Sequence, residues 1–262
     1  MNTVTSKDGT RIAYDQAGQG QPVILVDGAF GNRGFGPSEL AALLAPKFSV
    51  ISYDRRGRNE SGDTPPYAVE REIEDIAALV GQAGGSAYVY GISSGAVLAL
   101  IAAGNLPGIS RLALYEPPLI VDDSRPPVPA DYLDRLKAMV AADKRGDAVR
   151  YFMSTGVGVP PIFVFIMQFT PAWPKLKSVA HTVVYDTTIM GDFALSGGLG
   201  KAAMAIKAPT LVMGGGKSPA WLHHAAEAVA GAIPGAQIRM LDGQTHQVDA
   251  KVLAPALIEF FG

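Results

Sequence analysis

The 262-residue chain contains no cysteine. That excludes a disulfide scaffold, a thiol nucleophile, an iron–sulfur cluster and a thiolate zinc site. Histidine is scarce: His181, His223, His224 and His246 leave little material for a histidine-rich metal centre. No charge of one sign predominates. Lys and Arg number 22 against 24 Asp and Glu, with no long run of either. The footprint of a nucleic-acid or anionic-membrane partner is therefore missing. Long hydrophobic runs are missing too. The longest, A-V-L-A-L-I-A-A (Ala96 to Ala103) and I-F-V-F-I-M (Ile162 to Met167), fall far short of the roughly 18 residues a bilayer span needs. The first residues, M-N-T-V-T-S-K-D-G-T, are polar and mixed, without the apolar core of a signal peptide. These absences predict a cytoplasmic protein with no metal or other cofactor and no nucleic-acid or membrane partner. They assign no oligomeric state.

What is present is apolar material in short pieces. Hydrophobic residues make up 48% of the chain and charged residues 18%, enough to build one large core. At the start, Thr3 to Thr5 and Thr10 to Tyr14 flank Lys7-Asp8-Gly9, and Asp-Gly between β-type runs signals a hairpin. P-V-I-L-V-D-G (Pro22 to Gly28) is a continuous apolar run that fits a strand buried on both faces. F-S-V-I-S-Y-D, S-A-Y-V-Y-G, I-S-R-L-A-L-Y-E and A-P-T-L-V-M-G repeat the pattern, and A-Q-I-R-M-L-D is a weaker version. Between them lie helical segments. Val69, Ile73, Ile76 and Val80 fall on one helix face, which Gly84-Gly85 ends. Ser94 to Ala103, Pro219 to Ala232 and Asp249 to Phe261 give three more. Alternating strands and helices predict an α/β fold: a doubly wound, mostly parallel sheet of about eight strands.

One stretch breaks this rhythm. From Leu119 to Lys207 no strand–helix pair is clear. It opens with the Pro-rich, acidic V-D-D-S-R-P-P-V-P. An amphipathic pattern follows at Tyr132, Leu133, Leu136, Met139 and Val140, and then a dense apolar tract ends at Trp173. The reading is a helical insertion, residues 119–207, over a core made of residues 1–118 and 208–262.

Ligands of open α/β sheets bind at the carboxyl ends of the strands. There, S-A-Y-V-Y runs into G-I-S-S-G (Gly91 to Gly95) and then into a helix. This is G-x-S-x-G in its required context, a sharp strand-to-helix turn that presents the serine. It makes Ser93 the candidate nucleophile. A serine nucleophile needs a base. His246, in L-D-G-Q-T-H, follows the last predicted strand, whereas His181 lies in the insertion and His223 and His224 within a predicted helix.

With these residues, the chain resembles the α/β-hydrolase superfamily, over residues 1–118 and 208–262. The features that carry the resemblance are G-I-S-S-G, V-D-G-A-F after the third strand, Y-D-R-R-G-R-N-E-S-G after the fourth, Y-E-P-P after the sixth, and the late histidine. The resemblance implies a cap domain where the insertion lies. It implies an oxyanion hole made by the backbone N–H groups of Ser94 and Ala29, with Phe30 as neighbour. Phe163, Met167 and Trp173 then become candidates for the wall of a substrate pocket, or for the core of the cap. Asp54, Arg55, Arg56 and Ser61 match a family turn that is structural.

The acid of the triad departs from the common pattern. Relatives usually carry Asp after the seventh strand, where this chain has Ser218 in L-V-M-G-G-G-K-S-P. Other relatives place the acid after the sixth strand, where this chain has Glu116. Asp242 and Asp249 flank His246, and a dyad with no acid is a further alternative. Asp27 also stands where relatives often have His, so its carboxyl is either turned into hydrogen bonds or kept neutral. The leading expectation is a serine hydrolase that cleaves a small apolar ester, lactone or related carbonyl compound through an acyl-enzyme on Ser93. The alternatives are a lyase or isomerase without an acyl-enzyme, and a non-catalytic binding protein.

Overall fold

The computed structural model describes residues 1–34 and 37–262. Among them, one eight-stranded sheet runs through the molecule in the order β1-β2-β4-β3-β5-β6-β7-β8. The expected hairpin forms as β1 (Asn2–Thr5) and β2 (Arg11–Ala17), paired antiparallel. The next strands are β3 (Pro22–Val26), β4 (Ser49–Tyr53), β5 (Ala87–Ile92), β6 (Ile109–Tyr115), β7 (Thr210–Gly215) and β8 (Gln237–Leu241). From β4 to β8 every neighbouring pair is parallel. This is the doubly wound α/β sheet that the short apolar runs predict.

The strands alternate their side chains between two apolar layers. Ile24 and Val26 face a layer that includes Ile76 and Leu79 of α2 (Val69–Gln82) and Val97 and Leu98 of α3 (Ser94–Asn105). Val23 and Leu25 face the opposite layer, with Leu40 and Leu44 of α1 (Pro37–Leu44) and Leu253 and Leu257 of the C-terminal helix, Ala250–Phe261. β4 and β7 are buried along their whole length. β8 is the exposed edge, which explains its weaker sequence signal.

Between β6 and β7 the chain is helical. It forms α4 (Tyr132–Ala141), α5 (Arg145–Tyr151), a π-helical turn (Phe152–Val157), α6 (Pro161–Met167), α7 (Ala172–Ser178), α8 (Val183–Met190) and α9 (Gly197–Ala205). The last of these, α9, lies against α3 so closely that a Cβ on Gly104 would meet the Ala202 carbonyl oxygen at 2.6 Å. α10 (Ala220–Ala232) follows β7, and α11 is the C-terminal helix already described. No helix among the described residues is long and apolar enough to cross a membrane.

Candidate active site

Two close approaches shape the turn after β5. A Cβ on Gly95 would lie 2.4 Å from the Val26 carbonyl oxygen and 2.5 Å from that of Asp27, so α3 can start against the end of β3 only with glycine there. A Cβ on Gly28 would lie 2.9 Å from Ser93 Cβ. These small residues bring the loop after β3 up to the serine. Ser93 itself sits between strand and helix at φ 57°, ψ −131°. That is a strained conformation for a residue with a Cβ.

The strain is not confined to Ser93. Among the described residues six non-glycines have positive φ, and three of them are site candidates: Phe30 (62°), Ser93 (57°) and Glu116 (46°). Strain of this kind persists where the surrounding structure over-determines a geometry, as at functional sites. It makes a test with two opposite signs. The conformation costs about 1–3 kcal/mol, and glycine relieves it while adding about 0.5–1 kcal/mol of unfolded-state entropy. Ser93→Gly should therefore raise unfolding stability by about 1 kcal/mol in urea melts while removing the Ser93 hydroxyl. A fall in stability would show that the turn is not strained.

Glu116 follows β6 directly and is fully buried. Its Oε2 accepts from His246 Nδ1 at 2.7 Å, and its Oε1 accepts the Gly215 N–H at 2.7 Å. Burial alone would raise the Glu116 pKa. The hydrogen bonds from His246 and the Gly215 N–H, with the Ser218 hydroxyl, together outweigh it, so the carboxyl is held below its ordinary value. Ser218 Oγ is itself buried and favours the ionised carboxylate without meeting full hydrogen-bond geometry. The two positions weighed for the acid, 116 and 218, thus meet at the Glu116 carboxylate.

The other candidates are occupied elsewhere. Asp249 caps α11, accepting the Lys251 N–H at 2.8 Å. Asp242 makes no hydrogen bond to His246 among the described residues. His223 donates to the Gly215 carbonyl at 2.7 Å, His224 pairs with Asp122, and His181 faces Asp63 at 3.6 Å. His246 has its Nδ1 on a buried carboxylate, and the half-exposed ring leaves Nε2 as the nitrogen without a protein partner among the described residues.

Tyr115, which the sequence reading did not single out, ties these pieces together. Its carbonyl accepts the Ser93 N–H at 2.9 Å, and its hydroxyl donates to the Thr245 carbonyl at 2.6 Å. The residue before Glu116 therefore holds the backbone of the serine turn and of the histidine loop at once. The only earlier sign of it was an aromatic residue next to a strand-end acid.

The loop after β3 carries Ala29 and Phe30, beside Ser93 through the Gly28 contact. Asp27 Oδ1 accepts the Gly28 N–H at 2.8 Å. Burial pushes the Asp27 carboxyl up, against that hydrogen bond and the charges of Arg58 and Arg55. Asp27 is thus hydrogen-bonded, and burial disfavours its charged form. Arg55 and Arg58 are buried, and both reach backbone carbonyls of this loop. Arg58 donates to Gly28 O at 2.6 Å, and Arg55 to Asp27 O at 3.3 Å.

Phe30 packs edge-on against Phe152 with ring centroids 5.4 Å apart. It also borders a small cluster of Val149, Trp173 and Ala180, which Met153 and Met167 flank. The structure brings Phe30, Met167 and Trp173 together in this way. It does not bring Phe163 to them: that residue is 59% exposed. A helix of seven mostly apolar residues cannot bury every face, and in α6 Val164 alone is buried.

The site thus gathers a serine at a tight strand-to-helix turn, the loop after β3 against it, and a histidine hydrogen-bonded to a buried carboxylate at the end of β6. Residues 23–256 match the model of the alpha/beta hydrolase family. The chain belongs to that family. This alpha/beta hydrolase is similar over its whole length to an alpha/beta hydrolase from Sphaerobacter thermophilus, with 55% identity, a TM-score of 0.93 and full coverage of both chains. Its fold is also that of the enol-lactonase from Burkholderia xenovorans, at 21% identity and a TM-score of 0.69 over 99% of each chain. Curated relatives match over about a third of their length. The uncharacterized hydrolase YraK of Bacillus subtilis is 35% identical over 96 residues, 35% of each chain.

Proposed function

We propose that this alpha/beta hydrolase is a serine esterase or lactonase for small apolar substrates, with Ser93 as nucleophile, His246 as base and Glu116 as acid. The observation that carries the reading is the 2.7 Å hydrogen bond from His246 Nδ1 to the buried Glu116 carboxylate. It fixes the imidazole tautomer with the basic lone pair on Nε2 and supports the imidazolium that forms during reaction. The same bond counts against a non-catalytic protein, whose motive was Ser218 in place of an acid, and against one of the two motives for a lyase or isomerase, the altered acid and Asp27.

The steps follow from these groups. Ser93 Oγ forms a bond to the substrate carbonyl carbon while its proton passes to His246 Nε2, a contact that forms or tightens as substrate binds. The carbonyl oxygen becomes an oxyanion held by the Ala29 and Ser94 N–H groups. Collapse breaks the bond to the leaving oxygen, which takes the proton from His246. Water, deprotonated by the same histidine, then attacks the acyl-enzyme, the bond from the acyl carbon to Ser93 Oγ breaks, and Oγ takes the proton back from His246. An acid and an alcohol leave, or one hydroxy acid in the case of a lactone. The apolar side chains of Phe30, Phe152 and Met153 beside the loop favour a small apolar acyl group. The helical segment between β6 and β7 is the cap in this reading.

A fluorophosphonate probe tests the reading without knowledge of the substrate. Peptide mass spectrometry should find the label on Ser93 in the wild type, none in Ser93→Ala, and labelling slowed by at least about a hundredfold in His246→Ala. Absence of label on folded wild-type protein would overturn the acyl-enzyme mechanism.

A further inference from the structure

The sequence reading assigned the turn after β4 a structural role and gave Asp186 none. The structure shows what that turn is connected to. Asp186 lies on α8, in the segment between β6 and β7, and is 1% exposed. Its Oδ1 accepts from Arg55 at 2.6 Å and from Ser94 Oγ at 2.8 Å. Its Oδ2 accepts from Arg58 at 2.7 Å. Burial alone would favour the neutral acid, but Arg58 and Arg55 outweigh it and hold the carboxyl below its ordinary range. Arg55 also grips Glu72 with two bonds of 2.7 Å. Two buried cations thus face two buried anions.

The other ends of these groups matter most. Arg58 uses a second nitrogen on the Gly28 carbonyl at 2.6 Å. The Gly28 carbonyl and the Ala29 N–H belong to one planar peptide group and point in opposite directions. A guanidinium on the carbonyl therefore aims the Ala29 N–H and polarises it as a donor. The second proposed donor, Ser94 N–H, belongs to the residue whose hydroxyl Asp186 holds directly.

We propose that Asp186 is a positioning residue for the oxyanion hole, holding the Ala29 donor through Arg58 and the Ser94 donor through its hydroxyl. The inference rests on the serine-hydrolase reading above. It makes the helical segment between β6 and β7 part of the catalytic machinery, because undocking α8 would release both donors together. α8 is also held through its own Tyr185, which stacks on Tyr67 at 3.9 Å between ring centroids and donates to Asp63 at 2.7 Å.

The test compares wild type with Asp186→Asn, Arg58→Lys and Ser94→Ala. Each variant is first checked for folding by circular dichroism and thermal melting. Ser94→Ala deletes one hydroxyl and keeps the N–H, so it reports even if the charge variants do not fold. Two quantities are read on a p-nitrophenyl ester. The first is kcat against KM. The second is inhibition by a small alkyl boronic acid, whose tetrahedral adduct on Ser93 places an oxygen in the hole. Removing an oxyanion donor outright costs about 10²–10³ in kcat, and misplacing donors should cost roughly 10–100-fold. The expected result is that fall in kcat for Asp186→Asn, an equal loss of boronic-acid affinity, and KM within about threefold of wild type. Arg58→Lys keeps the charge but cannot span Gly28 and Asp186 at once, and should behave similarly. Ser94→Ala should lose about 3–10-fold. A purely structural Asp186 would lower melting temperature and leave kcat and boronic-acid affinity per folded molecule within about threefold. That result, or an unchanged Ser94→Ala if the charge variants fail to fold, would overturn the inference. If wild type neither takes the fluorophosphonate label nor cleaves the ester, the serine-hydrolase reading is what has failed.

Discussion

Replacing Glu116 with Gln should lower kcat for ester cleavage by roughly three to four orders of magnitude with little change in KM. The side chains have the same shape, so the pocket is kept. What changes is the partner of His246 Nδ1. A carboxylate can only accept there, which keeps the Nδ1 proton in place and leaves Nε2 basic. The introduced amide satisfies the Gly215 N–H with its oxygen and turns its NH₂ toward the imidazole. The histidine then carries its proton on Nε2, where it cannot take one from Ser93. Stopped-flow kinetics would separate acylation from deacylation, and both should slow, since His246 serves both in the proposed mechanism. A loss of less than about tenfold would remove Glu116 from the acid role.

The environment of that carboxylate carries its pH behaviour. Its folded pKa lies below its unfolded value. The stabilisation it gives is therefore present above the unfolded pKa, about 4.3, and is lost as pH falls through the lower folded value. Glu116 stays ionised between pH 5 and 8, so a loss of activity in that interval belongs to another group. Ser218→Asp should bring a loss of activity rather than a gain. A second carboxylate beside Glu116 makes a like-charge pair, and such a pair raises the pKa of one member.

The sheet was readable because a strand buried on both faces has no choice but to be apolar, as Pro22 to Val26 and Thr210 to Gly215 are. Ser93 was readable because its turn needs small residues at fixed offsets, and His246 because it follows a strand end. The segment between β6 and β7 was harder to read. The apolar tract of α6 gave no period, and the structure leaves Phe163 exposed there while Val164 is buried. Tyr115 and Asp186 were illegible for another reason. Their partners lie 130 and 92 residues away, at Thr245 and Ser94, and no local pattern marks such a pair. A sign of Asp186 was present all the same. In V-V-Y-D-T-T-I-M one acid stands in an otherwise uncharged helix, and a buried carboxylate must find cations.

The largest stability effect should come from another buried arginine, Arg56. Its side chain is fully buried, and it grips Asp75 with bonds of 2.8 and 2.7 Å. It also donates to Asp8 at 2.9 Å. Burial costs both partners their hydration, and the Asp75 contact holds the guanidinium charged. Arg56→Met strands Asp75, which is 1% exposed and has no other cation on it among the described residues. The least costly response is for Asp75 to take a proton. For a carboxyl with an unfolded pKa of about 3.9, that costs roughly 4 kcal/mol at pH 7, in line with the 3–5 kcal/mol typical of a broken buried pair. Asp8 suffers less, because it keeps the Thr10 N–H at 2.9 Å. The penalty should therefore be about 3–5 kcal/mol at pH 7 in urea melts, or about 10 °C in melting temperature. The sign of its pH dependence is fixed. Burial already holds the Asp75 carboxyl above its ordinary value, against the Arg56 hydrogen bonds and charge that lower it. Without Arg56 it rises further, so the variant loses stability relative to wild type as pH rises, and at pH 5 the penalty should shrink to about 1–2 kcal/mol. Arg56→Met with Asp75→Leu removes both charges and should recover most of the loss at pH 7. A single variant whose penalty stayed the same from pH 5 to pH 7 would show that packing, and not the stranded carboxylate, sets the cost.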